Sequence, residues 1–238
     1  MIPVLYEDVG LVAVDKPAGV VVIPARDEDP AESLRARLEA QRSERLWVVH
    51  RIDRDTSGVV LFARTPDAHR ALNAHFEHRR VDKRYLALTR GVPSRAGDID
   101  LALHPARKGK MRPALAGEEG SVSARTTLTV LREWQAPIGR VCLVEAKPHT
   151  GRQHQIRVHL RALDAPLLVD PLYGRASRVT AAELGLDPSH PGLSRLSLHA
   201  AAISLPWPEG ETLTVSAPLA PELSSLIDAL SSSSPSSP

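Results

Sequence analysis

A chain of 238 residues, 42% hydrophobic and 24% charged with a net charge of +2, is long enough to bury a substantial core and has the composition of an ordinary soluble globular protein. No apolar run approaches the roughly 20 residues of a membrane helix, and Met1-Ile2-Pro3-Val4 carries no basic and apolar leader. The single Cys142 excludes a disulfide framework and a cysteine metal site, which fits a reducing cytoplasm. Charge is uneven along the chain: residues 79–84, 104–112 and 149–161 are basic, while Asp27-Glu28-Asp29 and the stretch 209–222 are acidic. Three basic segments can converge on a polyanion such as nucleic acid, or they can be solvated surface.

Leu11-Val12-Ala13-Val14 opens as a strand and runs into the turn Lys16-Pro17-Ala18-Gly19. Asp29-Pro30 reads as the cap and first residue of a helix with Ala31, Leu34 and Leu38 on one face. The segment His50-Arg51-Ile52-Asp53-Arg54-Asp55-Thr56-Ser57-Gly58 then packs carboxylates, guanidiniums and hydroxyls directly ahead of a buried strand ending at Ala63. A rigid strand holding that much unlike chemistry marks a candidate active site. Thr65-Pro66-Asp67 starts a second helix, with Ala68, Ala71, Leu72 and Phe76 at helical spacing. Strands are expected at 85–89, 126–131 and 141–146, separated by residues 93–120, which read as a long mobile loop or insertion rich in Gly, Pro and basic residues. Thr150-Gly151-Arg152-Gln153 has the form of a capping box opening a helix with Ile156, Leu160 and Leu163 on its apolar side. Strands at 196–203 and 212–216 and an amphipathic helix through Leu223, Leu226, Ile227 and Leu230 complete the pattern. The irregular order of strands and helices predicts an α+β fold with a mixed, mainly antiparallel sheet. One domain, 1–230, is expected, followed by a disordered Ser/Pro tail, 231–238.

Asp53 can serve as nucleophile, general base or ion-pair partner. Asp55, two residues on, sits too near for the usual separation of a glycosidase pair. His149, His154 and His159 are spaced by five, which does not align them on one helix face, so a metal site is not expected. A helix start with Arg152 beside it and Arg157 within it suits an anion. Tyr85 can pack in a core or stack on a base. The chain has no G-x-x-x-x-G-K-S/T, G-x-G-x-x-G or G-x-S-x-G, which favours a reaction without a cofactor and without a nucleotide.

These residues together resemble the RluA-type family of RNA pseudouridine synthases. The nine residues from His50 to Gly58 look like the family's H-R-L-D-x-x-T-S-G motif, with Ile52 for Leu. Lys16-Pro17-Ala18-Gly19 and Lys83-Arg84-Tyr85-Leu86-Ala87 resemble its first and tyrosine motifs. Residues 150–160 look like T-G-R-x-H-Q-I-R-V-H-L, and Asp170-Pro171-Leu172-Tyr173-Gly174 and Leu196-Ser197-Leu198-His199-Ala200 match later ones. The resemblance implies conversion of uridine to pseudouridine on a mixed sheet with a central cleft. It makes Asp53 the essential carboxylate, Arg157 its ion-pair partner, Tyr85 the ring against the flipped uracil, and Arg51 the arm that helps extrude the nucleotide. His50, Thr56, Gly151, Arg152, His154 and Ile156 would complete the substrate site. The partner implied is ribosomal or transfer RNA, bound by a monomer with neither membrane nor cofactor; the alternative is an idle RNA-binding protein on the same fold.

The chain departs from the family pattern at Ile23, before Pro24, and at Asp164 and Val169, where relatives commonly carry Gly, which puts local loop shape in question. The motifs begin within the first twenty residues, so an amino-terminal RNA-binding domain is expected to be absent. Grip on RNA would then fall to the catalytic domain, including the basic residues Lys108, Lys110 and Arg112.

Overall fold

The computed structural model describes residues 1–24, 29–174, 176–208 and 210–233, and the chain divides into two compact units. Part of the acidic run Asp27-Glu28-Asp29, Glu209, and residues 234–238 of the expected tail lie outside the described residues.

The first unit, Met1–Arg84 with His199–Pro218, centres on β4 (Ser57–Ala63), an apolar strand buried at every position. On one edge it pairs antiparallel with β2 (Leu11–Lys16), from Leu11 opposite Ala63 to Lys16 opposite Gly58. β1 (Val4–Glu7) extends that side. The other edge of β4 takes β3 (Trp47–Val48) at its end and β11 (Leu198–Pro206) at its start. The β11 pairing is parallel, His199 opposite Ser57 and Ala200 opposite Gly58, and supplies the mixed character of the sheet. β12 (Thr212–Ser216) closes on β11. Gly58 sits at φ +109°, and a Cβ there would come within 2.1 Å of the Ala200 carbonyl oxygen, so no other residue fits.

Two helices cover this unit. Asp29 caps only a 3₁₀ turn over Pro30–Glu32; the helix α1 (Leu34–Arg42) starts later, with Ser33 as its cap. α2 (Pro66–Glu77) begins as the sequence predicts, Thr65 accepting from the Ala68 N–H. Its Ala68 and Leu72 are buried in the core, Leu72 contributing about 2 kcal/mol of apolar burial. Ala71 is exposed instead, because a 100° step per residue carries it off the stripe defined by 68 and 72.

The second unit, Tyr85–Leu198 with the segment from Leu219, is built on β5 (Asp82–Arg90), β10 (Gly139–Pro148), β9 (Arg125–Ala136) and β6 (Gly97–Asp100), in that order and all antiparallel. Residues 93–120 are not a structureless loop. They hold β6 and a hairpin of β7 (Leu103–Pro105) and β8 (Met111–Pro113). Ile99, Leu103 and Met111 are buried, and these apolar residues spaced through a polar segment are what fold it down. A buried helix, α3 (Gln155–Ala162), follows β10. Next comes the short α4 (Ala181–Leu184), closed by a Thr180–Glu183 capping box. α5 (Pro221–Ser233) places Leu223, Leu226 and Leu230 in the core with Trp134 and Val141. It continues three residues into the stretch expected as tail.

Candidate active site

Asp53 lies half-buried on the loop between β3 and β4, with Arg51 and Arg54 exposed on either side and Ile52 tucked into the core. The loop is fixed through its backbone. The Thr56 N–H donates to the Asp53 carbonyl (3.2 Å), and the Gly19 N–H to the Arg54 carbonyl (3.0 Å). Lys16 is fully buried, and its Nζ donates to the carbonyls of Pro17 (2.9 Å), Val20 (2.7 Å) and Arg54 (2.7 Å). An ammonium has three donors, and these carbonyls engage all of them, so the turn 16–19 and the Asp53 loop are tied together by one side chain. Ser57 Oγ lies 2.8 Å from His199 Nδ1, securing the end of the loop to β11. His50 serves the frame too. Its Nε2 accepts the Leu61 N–H (2.9 Å) and its ring stacks on Phe76 at 5.0 Å. Burial, reinforced by the Lys83 ammonium, pushes its pKa down to about 3, so the ring stays neutral as an acceptor must.

In the second unit, Tyr85 stands on β5 opposite Ala146 and packs into the cluster that contains Ile156. The register puts it beside the end of β10, where the loop carrying Gly151 and Arg152 begins. That loop does not form the expected Thr150–Gln153 box. α3 starts at Gln155, after His154 at φ 54°, and no side chain caps it. Gln155 takes over the organising role. Its Oε1 accepts from Thr150 Oγ1 (2.6 Å) and the Arg152 N–H (3.1 Å), and its Nε2 donates to Thr126 Oγ1 (2.8 Å) and the Arg125 carbonyl (2.9 Å). A buried Gln satisfied by β9 outweighs a solvent-facing box. Arg152 is exposed, with its Nε on the Ser123 carbonyl (3.1 Å).

Arg157, 5% exposed, forms a two-pronged bond to Asp170: Nε to Oδ2 at 2.9 Å and Nη2 to Oδ1 at 2.8 Å. Asp170 Oδ1 also accepts the N–H groups of Leu172 and Tyr173, both at 2.9 Å. The Arg157 guanidinium lies 5.0 Å from the centre of the Tyr173 ring, whose hydroxyl meets His154 Nδ1 and the Met111 N–H, each at 2.7 Å. Gly174 closes the 170–174 turn; a Cβ there would meet the Asp170 carbonyl oxygen at 2.7 Å. The three histidines have separate partners: His149 meets Thr127, His154 meets Tyr173, and His159 donates to the Leu101 carbonyl. Among the described residues no group of three metal-ligating side chains occurs.

The basic run of the hairpin is partly spent within the protein. Lys110 donates to the Leu172 carbonyl (2.8 Å), and Arg112 pairs with Glu118, whose pKa it pulls down to about 2. Arg107 and Lys108 make no side-chain bond to a described residue. They, rather than Lys110 and Arg112, are the hairpin's available cations.

The sequence matches the model of a family described as RNA pseudouridylate synthase over residues 10–162. The chain belongs to this RNA pseudouridylate synthase family. It is 34% identical to the ribosomal large subunit pseudouridine synthase D of Nitrosomonas europaea, covering 95% of this chain and 64% of that protein. It is 33% identical to the tRNA pseudouridine synthase C of Yersinia pestis, covering 91% and 86%. The human RNA pseudouridylate synthase domain containing 4 has the same fold, with a TM-score of 0.74 and 27% identity over 96% of this chain and 93% of that one. The chain thus spans under two thirds of the Nitrosomonas relative's length.

As a pseudouridylate synthase-family protein it keeps its motifs in two groups: Lys16, His50, Arg51, Asp53 and Thr56 in the first unit, and Tyr85, Gly151, Arg152, His154, Ile156 and Arg157 in the second. Sequence reasoning gave no role to Lys16, Asp170 or Tyr173, although each sits in a matched motif. A lysine closing a buried strand and an aspartate followed by a turn were the available signals. Of the departures, Asp164 adopts φ 59°, where Asp is one of the few tolerated substitutes for Gly, so that loop keeps its shape. Val169 is fully buried, its N–H bonded to Ser197 Oγ. No helix among the described residues is long and apolar enough to cross a membrane.

Proposed function

We propose that this protein isomerises uridine to pseudouridine in ribosomal or transfer RNA, with residues 1–230 working as one catalytic domain and Asp53 as the reacting carboxylate. The observation that carries the reading is the Asp53 loop: a half-buried carboxylate flanked by exposed Arg51 and Arg54, on a backbone pinned by the buried Lys16 ammonium. A structural aspartate needs no such frame; a group that must meet a substrate atom within a few tenths of an ångström does.

In the proposed reaction the N1–C1′ bond breaks, the uracil turns in place, C5 bonds to C1′, the C5 proton leaves and N1 takes up a proton. Nothing is oxidised or reduced overall, so no cofactor is required. The target base must leave its stack, at a cost of about a few kcal/mol; in this reading Arg51 takes the vacated position and Tyr85 lies against the uracil. Arg157 is the proposed counter-ion of Asp53. Asp170 engages two of its N–H donors and fixes the direction of the guanidinium. Gly151, Arg152, His154 and Ile156 line the same proposed site, while His50 and Thr56 support the loop. The protein would act as a monomer in the cytoplasm, where these RNAs are found.

Mapping pseudouridines across cellular RNA with and without the gene tests the assignment. Loss of one or more sites in ribosomal or transfer RNA is expected; an unchanged map refutes it and favours an idle RNA binder.

A further inference from the structure

A cavity of about 470 Å³ opens in the second unit between the ends of β5 and α3 and residues Tyr173, Gly174, Ala176, Arg178 and Val179. It falls in the size range of small-ligand sites. Ile138, Leu167, Leu168 and Val179 give it apolar walls, and three exposed arginines, Arg90, Arg161 and Arg178, stand among its lining residues. None of the three guanidiniums makes a hydrogen bond or ion pair with a described residue. That distinguishes them from Arg112, Arg125 and Arg157, each of which has a carboxylate partner. Two carboxylates are near: Asp164 lines the cavity, and Glu183 feels Arg90 and Arg178 but is engaged with Thr180 in its capping box. The balance of these five groups is one net positive charge, with the three cations left unbonded.

Within the second unit the cavity neighbours Arg157, the proposed counter-ion. Arg161 follows Arg157 by four residues on α3, hence on the same side one turn along. Tyr173, whose ring lies against the Arg157 guanidinium, also lines the cavity. We infer that this cavity binds one nucleotide of single-stranded RNA next to the target uridine, its phosphate held by Arg90, Arg161 and Arg178 and its base or ribose against the apolar walls. Arginine forks suit phosphate oxygens, and the π-face of any base suits an apolar wall, so the site recognises a nucleotide without reading its identity. This rests on the RNA reading of the protein; it adds a gripping subsite that the chemistry itself does not require.

The test uses the full chain, a fluorescent twelve-residue oligouridylate, and uridine, uridine 5′-monophosphate and inorganic phosphate as competitors. The variant Arg90→Ala/Arg161→Ala/Arg178→Ala is expected to bind the oligonucleotide at least about tenfold more weakly. Its slope of log affinity against log salt should be shallower by about 2, for three lost contacts at about 0.7 each. The Lys versions of the same three positions should restore most of the slope. Uridine 5′-monophosphate should compete better than uridine and better than phosphate, and should lose that advantage on the Ala variant. Unchanged affinity and slope in the Ala variant overturn the subsite and leave the patch to a protein partner or to plain solvation. Equal competition by uridine and its monophosphate overturns phosphate recognition. Pseudouridine formation by the wild-type chain, measured on the same preparation, separates the two proposals: its absence refutes the synthase reading, and its presence beside an unaltered Ala variant refutes only the subsite.

Discussion

The loop around Asp53 and the turn around Arg157 solve the problem of placing a charge in opposite ways. At Asp53 the polar groups that do the holding are backbone carbonyls gathered on Lys16, and the side chains Arg51 and Arg54 remain exposed. At Arg157 the holding is between side chains, a buried guanidinium gripped by Asp170 and faced by Tyr173, with little of it exposed. The first arrangement holds the loop through its backbone; the second fixes one cation through its side chain so that its direction cannot drift. Under the proposed roles, Asp53 as reacting carboxylate and Arg157 as counter-ion, each residue would call for its own treatment.

The contrast can be broken from either side. The largest effect is expected at Asp53. Asp53→Asn should lower pseudouridine formation by about 10³-fold or more while leaving RNA affinity and thermal stability near wild type, checked by single-turnover kinetics beside a binding titration. The second arrangement should respond in stability instead. Asp170→Ala removes the two-pronged carboxylate partner of a buried guanidinium and is expected to cost about 3–5 kcal/mol in urea unfolding. Lys16→Met should fall between the two, costing about 3 kcal/mol by depriving three carbonyls of their donor, and should also loosen the Asp53 loop enough to depress turnover. If Lys16→Met left both stability and turnover intact, the frame described for Asp53 would be wrong.

A smaller effect concerns pH. His50 has a folded pKa of about 3 against about 6.5 unfolded, so the unfolded chain binds the proton more readily. Its contribution to stability is present above pH 6.5 and is lost as pH falls toward 3. His50→Gln keeps an acceptor for the Leu61 N–H and cannot protonate, so its stability should decline less between pH 6.5 and 4 than that of the wild type. Identical acid profiles would remove His50 from the frame. The smallest change is expected from Arg107→Ala/Lys108→Ala on the hairpin, a salt slope shallower by about 1.4 if both contact a single strand.

The sequence makes the first arrangement far easier to see than the second. Asp53, its flanking arginines and the strand behind them fall within fourteen consecutive residues, and the alternation from dense polarity to a pure apolar run is a local signal. Arg157 is visible as a residue, but Asp170 lies thirteen positions on, and nothing local says that the two side chains meet. The same limit explains the hairpin: spaced apolar residues among Gly, Pro and Lys look like a loop until Tyr173 and Val158 supply a surface for Leu103 and Met111. The helix at Gln155 starts late for a related reason, since the tertiary bonds of Gln155 to β9 override a capping pattern that was correct in form. Strands β4, β5, β10 and β12 and helices α2 and α5 were legible because their periodicity is long and their neighbours agree with it.

The chemistry itself gives the most direct measurement. Forming the C5–C1′ bond expels the hydrogen on C5, so RNA transcripts carrying tritium at uridine C5 should release it to water when incubated with the protein. Release of tritium by the wild-type chain, with none above background from Asp53→Asn at equal RNA occupancy, is the expected result. Undiminished release from Asp53→Asn, or no release from the wild type on either transfer or ribosomal RNA, would contradict the assignment of Asp53 as the reacting carboxylate of a pseudouridine synthase.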